Sequence, residues 1–223
     1  MKRKILAVFV IVFATLFVAS MGCRKSSSTL TEPVVNDTTG GGPVVRKPNI
    51  YIYPQSKSVV SIKLEFPMGG TVIESIPTYL GEWRVEVDPS CKIDNKYDYL
   101  FYECQTPDAY QYISGWIVGK DSLSIFFRTN LSKTGFNERE LNDFAEYWIP
   151  RLTDYSYYVI YPQYSNEINR VVRLNVSGSP DSILRLFYAI KGSNNNESNP
   201  LEPIIPKFTR KGFVVAEWGV VLK

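Results

Sequence analysis

The stretch DSLSIFFRTNLSKTGFNERELNDFAEYWIP, Asp121 to Pro150, is where the apolar period of this chain turns helical. Leu123, Phe126, Phe127 and Leu131 recur at three- and four-residue steps, which lines them along one side of a helix. Asp121 can cap its start and Gly135 its end. Asn137, with Glu140 three residues on, has the form of a second cap. Leu141, Phe144, Ala145 and Trp148 make an apolar face, and Pro150 ends the helix. The expectation is a two-helix hairpin inserted at about 121–150. Leu141, Phe144 and Trp148 should face the core, and Glu138, Asp143 and Glu146 the water.

On both sides of this insert the period is two. Val60, Ile62, Leu64 and Phe66 alternate with Ser61, Lys63 and Glu65; Trp83, Val85 and Val87 alternate with Arg84, Glu86 and Asp88. Asn49–Tyr53, Tyr97–Glu103 and Gly115–Val118 complete a first β region. Tyr157–Tyr161, Arg170–Val176, Ser182–Ile190 and Gly212–Trp218 make a second, broken by a polar loop from Gly192 to Asn199. The fold class read from this is α+β, with antiparallel, sandwich-like β-sheets around one helical hairpin. The two β regions echo each other. Ile52-Tyr53-Pro54-Gln55 recurs as Ile160-Tyr161-Pro162-Gln163, Val59-Val60 as Val171-Val172, Leu100-Phe101-Tyr102 as Leu186-Phe187-Tyr188, and Gly115–Val118 as Gly212–Val215. Order is kept and spacing is not, so related halves at 48–118 and 156–223 stand beside chance recurrence of short β motifs.

The amino-terminal part reads as an address. Lys2-Arg3-Lys4 precedes an apolar run from Ile5 to Ala19, interrupted only by Thr15. Crossing a bilayer takes about 20 apolar residues, so the run has the length of a secretory leader rather than a span. Ala19-Ser20-Met21-Gly22-Cys23 follows, and small residues ending in Gly-Cys look like the bacterial lipoprotein signal. Ser20 departs from it, standing where an aliphatic residue is usual. On this reading 1–22 is removed and Cys23 is acylated. Arg24 to Lys47 then forms a Ser-, Thr- and Gly-rich linker reaching on the order of 25–30 Å. The partner it implies is a membrane, reached through the lipid, with the body held outside the cytoplasm. Residues 48–223 form a single domain.

Charge and histidine content narrow the chemistry. The chain of 223 residues has 25 Lys and Arg, 22 Asp and Glu, and no His. Loss of the three leader cations leaves 22 of each sign, which removes the basic excess that nucleic-acid binding would need. Without histidine there is no Ser-His-Asp or Cys-His catalysis and no His-ligated zinc. No phosphate-binding glycine loop and no metal-ligand spacing occurs, so no cofactor is expected.

Lys47-Pro48-Asn49-Ile50-Tyr51-Ile52-Tyr53-Pro54 resembles the opening motif of a family of uncharacterised bacterial extracytoplasmic proteins. Tyr97–Glu103, Gly135–Glu140 with Tyr147–Pro150, and Lys211–Gly219 are similar to its later motifs in the same order. Cys104 and Glu146 depart from the pattern, standing where it has Gly and an apolar residue. The resemblance covers about Lys47 to Gly219. It implies the extent of the domain and no activity.

Candidate site residues follow from burial chemistry. Glu103 lies on the strand face of Tyr99 and Phe101, and Glu217 on that of Phe213 and Val215. A carboxylate at the end of an apolar stripe must emerge into solvent or find a buried partner. Arg139, Arg151 and Arg185 are available, Arg139 being the preferred one. The two glutamates could be a glycosidase-like pair, or could each serve one structural ion pair, which is the higher-ranked reading. Glu138, Trp148 and Trp218 complete the candidate set, Trp218 as the tryptophan most suited to exposure. Cys91 and Cys104 could bridge, although a hairpin of Trp83–Val87 with Tyr97–Glu103 would hold them too far apart. Three function classes remain: a tethered binding or structural module of the cell envelope, acting on an envelope protein or glycan; a histidine-free hydrolase; and a subunit of an envelope assembly using an exposed strand edge. The first ranks highest because leader and linker need no chemistry.

Overall fold

The computed structural model describes residues 42–196 and 198–223. Among them, ten strands and three helices run in the order β1 (Val44–Tyr53), β2 (Ser58–Glu65), β3 (Thr71–Ile76), β4 (Trp83–Val87), β5 (Leu100–Gln105), β6 (Trp116–Gly119), α1 (Leu123–Thr134), α2 (Glu138–Trp148), β7 (Tyr157–Tyr164), α3 (Ser165–Val171), β8 (Arg173–Val176), β9 (Ser182–Ser193) and β10 (Val214–Leu222). The class is α+β. A seven-stranded sheet has the order β3-β5-β1-β10-β9-β7-β6, and a three-stranded sheet the order β4-β2-β8. The small sheet is antiparallel; the large one is mixed, because β9 and β10 run parallel. Parallel neighbours require the chain to return to the same end of the sheet between β9 and β10.

Strand alternation sorts the large sheet into two buried faces. Ile50 and Ile52 of β1, Leu100, Tyr102 and Cys104 of β5, Phe187 of β9 and Val215 of β10 pack with Val60, Ile62, Trp83 and Val85 of the small sheet. On the other face Tyr51, Leu186, Tyr188, Ala216 and Trp218 pack with Leu123, Phe127 and Leu131 of α1 and Leu141, Phe144 and Trp148 of α2. The large sheet is therefore the middle of three layers. Its central strands have no solvated face, which is why β9 and β10 read as nearly continuous apolar runs.

The helical hairpin forms where its spacing places it. Asn137 and Glu140 make a reciprocal capping box, and Gly135 closes α1 at φ 113°, a left-handed angle suited to glycine. Asp121 does not cap: it lies in a 3-10 turn, Lys120–Ser122, ahead of α1, and no side chain caps the helix. The linker ends short of Lys47, because Val44 and Val45 already pair with β5 and β10. β3 was not expected, and the strand expected from Arg170 starts at Arg173, after α3. The hairpin of Trp83–Val87 with Tyr97–Glu103 does not form; β4 pairs with β2 in the small sheet and β5 with β1 and β3 in the large one.

Three of the four echoed motifs fall on strands in both β regions; the second does not, since Val59-Val60 lies in β2 while Val171 ends α3 and Val172 precedes β8. β5 and β1 form an antiparallel pair, as do β9 and β7, and β2 lies beside β8. The fourth motif of each half is exchanged: β6 pairs with β7 and β10 with β1. No helix among the described residues is long and apolar enough to cross a membrane. The leader and Cys23 lie outside the described residues.

Candidate functional site

The two candidate glutamates lie on opposite faces of the large sheet. Glu217 points toward the small sheet, and Arg185 is its register partner across the parallel β9–β10 pair. Arg185 Nε donates to Glu217 Oε2 at 2.5 Å, and the Tyr102 hydroxyl donates to Oε1 at 2.7 Å. Arg185 Nη1 donates to Asn169 Oδ1 at 2.6 Å and to the Val172 carbonyl at 2.8 Å. The side chains of the pair are 2% and 0% exposed, so water cannot reach the carboxylate. Burial, and then the charge of Glu217, push the Tyr102 phenol far above its ordinary range. This is a closed structural cluster.

Glu103 faces the helices. Its Oε1 accepts the Lys47 backbone N–H at 3.2 Å, and its Oε2 lies 3.7 Å from Arg46 Nη1. A sheet separates it from Glu217, so these two residues form no glycosidase-like pair. Arg139 partners neither. It reaches the β4–β5 connection, where Nη2 lies 2.9 Å from Asp98 Oδ1 and the guanidinium donates to the carbonyls of Ser90 and Asp98. Glu138 is exposed at the start of α2. Trp218 is buried rather than exposed, its Nε1 donating to the Glu140 carbonyl at 3.0 Å, and Trp148 is a core residue. Cys91 and Cys104 are free, buried, and in separate core clusters on opposite faces of the large sheet. Cys91 Sγ accepts the Ile52 N–H at 3.1 Å, and burial pushes its thiol up to about 12.

An ion pair of the buried Glu140 with the half-buried Arg210 escaped the sequence reading. Glu140 accepts both Arg210 amino groups, at 2.9 and 3.0 Å, in the bidentate geometry guanidinium favours. The capping motif marked Glu140, but Arg210 lies 70 residues away outside any helix or strand, with no local sign of pairing.

A third cluster is half-open. Between α2 and the end of β5, a β-bulge in β1 spans Arg46–Asn49 and sets Lys47 at φ 54°. That left-handed angle is uncommon for a residue with a side chain, and less usual still before a proline. Lys47 Nζ lies 4.3 Å from the centroid of the Phe101 ring, 4.7 Å from that of Tyr99 and 5.5 Å from that of Tyr147. It donates to the Tyr99 hydroxyl at 3.3 Å. The exposed Arg151 stacks on Tyr147, its guanidinium carbon 3.8 Å from the centroid. Beneath, Tyr51 donates to Asp143 Oδ2 at 2.8 Å, while the buried Asn49 Oδ1 has no hydrogen-bond partner. Asp143, expected to be wet, is half-buried because of that bond, and burial raises its carboxyl. β3, at the sheet edge beyond β5, carries the exposed Glu74 and Ile76 on this side.

Burial lowers the Lys47 amine to about 8, against the opposing pull of Asp143, Glu103 and Glu74; Arg151 adds to the lowering. Between pH 8 and the ordinary 10.5 the folded protein has lost this proton while the unfolded chain keeps it, so Lys47 should add stability as pH rises through that window. Urea unfolding of wild type and Lys47→Met across it checks this. The gap should move in favour of wild type; a constant gap would contradict the lowered amine. Buried phenols such as Tyr51 act in the opposite sense and cancel between the two proteins.

The aromatic rings here are not a free stacking platform, because the chain's own cations cover them. Among the described residues no group of three or more cysteines and acids is placed to hold a metal ion. Comparisons with protein-family models, curated proteins and solved structures gave no match.

Proposed function

We infer that the chain is an extracytoplasmic lipoprotein in which Cys23 carries the lipid and Val44–Lys223 is a binding module of the cell envelope. One observation carries the binding reading. The carboxylates of Glu217 and Glu140 are fully buried in ion pairs, whereas the strained, half-buried Lys47 sits with Tyr99, Tyr147 and Arg151 at the edge of the helix layer. Polar groups held in an unfavourable conformation beside solvent are more characteristic of a ligand-facing surface than of a core. The sequence from Cys23 to Gly42 supplies a tether, and two or more acyl chains would hold it stably.

Labelling with radioactive palmitate checks the anchor. Wild-type protein should take up label and fractionate with membranes; Cys23→Ser should take up none, and either leave the membrane or persist as the uncleaved precursor. Absence of label from wild type would end this reading. A second reading, a subunit of an envelope assembly, is favoured by the β3 edge, where Ile73 and Ile76 are exposed with Leu80 just beyond. Loss of a crosslinked higher-mass species in Ile73→Lys would support it.

A further inference from the structure

The geometry points to the ε-amine of Lys47 as a nucleophile that captures small aldehydes and ketones as imines. This rests on the Lys47 cluster being the ligand-facing surface, and does not depend on the lipid anchor. Three features single out this amine. Phe101, Tyr99 and Tyr147 surround it and strip water from the ammonium, which favours the neutral, reactive form and works against the attraction of the ring faces for a cation. Its hydrogen bond goes to a phenol rather than to a carboxylate, since Glu103 is engaged by the Lys47 backbone N–H and lies near Arg46. The left-handed backbone at Lys47 holds the side chain under α2, a strained arrangement of the sort found where a residue is positioned for chemistry.

The reaction needs nothing beyond these groups and the carbonyl compound. The amine lone pair attacks the carbonyl carbon, forming a C–N bond as the C=O π electrons move to oxygen. A proton passes from nitrogen to that oxygen and gives a neutral carbinolamine. The nitrogen then expels the hydroxyl group, which leaves as water on taking a proton from the Tyr99 phenol. The phenolate recovers its proton from the iminium nitrogen. One carbonyl and one amine become one imine and one water, with no oxidant or reductant. Burial raises the Tyr99 phenol, so it is protonated at neutral pH and able to donate. The charged groups influencing the amine are Asp143 on α2, Arg151 after it, Glu103 on β5, and Glu74 on β3.

Purified full-length protein in detergent, treated with butanal and sodium cyanoborohydride, fixes any imine as a stable secondary amine that peptide mass mapping locates. At pH 7.5 Lys47 should be labelled at least about tenfold faster than the solvent-exposed Lys63 or Lys191, because a larger fraction of its amine is neutral. The ratio of the Lys47 rate to that of the exposed lysines should fall steadily above pH 8, where the Lys47 amine is already neutral and theirs are still losing protons; the hydride step, which slows for every imine in alkali, cancels in the ratio. Tyr99→Phe keeps the ring and removes the proton donor, so the Lys47 rate should fall several-fold with the pH dependence of the ratio retained. Labelling of Lys47 no faster than the exposed lysines would overturn the proposal, as would a ratio that does not change with pH. An unchanged rate in Tyr99→Phe would remove the phenol from the mechanism.

Discussion

Glu217→Gln should lower the stability of the folded protein by about 3–5 kcal/mol, because it leaves the Arg185 guanidinium charged and buried with no counter-charge. The amide keeps the size of the carboxylate, so the loss reports charge rather than packing. Arg185 already has one amino nitrogen, Nη2, without a partner, and the cluster has no slack to absorb a second deficit. Replacing both members with apolar residues of similar volume, Arg185→Met with Glu217→Leu, should recover most of the loss, since desolvating an ion pair costs about as much as the pair returns. Glu103→Gln makes the comparison: its neighbour Arg46 is 34% exposed, and pairs near solvent are worth about 1 kcal/mol or less. Urea midpoints of the four proteins decide the matter. Equal losses for Glu103→Gln and Glu217→Gln, or none for Glu217→Gln, would show that the sheet interior is not as dry as the packing indicates.

Trp148→Ala should cost about 3–5 kcal/mol, the range for removing a large aromatic side chain from a packed interior. Trp148 ends α2 and belongs to the cluster that joins both long helices to the large sheet. The space it leaves lies inside that packed cluster, so collapse around it is limited. Glu146, two residues earlier, points to solvent, and Glu146→Ala should change stability by less than about 0.5 kcal/mol. Trp148→Phe is informative between them. The indole Nε1 is buried without a hydrogen-bond partner, so the phenyl ring loses volume but also removes an unsatisfied polar group. Its loss should be well under half that of Trp148→Ala. Thermal melts with matched urea titrations measure all three, and similar losses in Trp148→Ala and Glu146→Ala would reverse the assignment of the two helix faces.

Some of this was legible in the chain alone. The two long helices, their join at Gly135, the cap at Asn137 and most strands follow from periods of three to four and of two, which a few neighbouring residues determine. So does the face on which each glutamate lies along its own strand. That Glu103 and Glu217 then point away from each other depends on which strands become neighbours, and this rests on contacts between residues far apart in sequence. The partner of Glu217 shows the limit most clearly. The sequence favours Arg139, at the head of a helix, but Arg185 is the register neighbour in a parallel pair of strands joined by a long connection. Parallel pairing leaves no local turn signal to read. In the sequence Lys47 is only part of a motif and the end of the expected linker. A bulge in β1 and three rings from β5, α2 and the residues just before β5 turn that lysine into a desolvated amine. Local sequence determined which segments fold and which side of each is apolar; only closure of the large sheet decided which charges met, because desolvation and pairing are properties of the packed layers and not of any one segment.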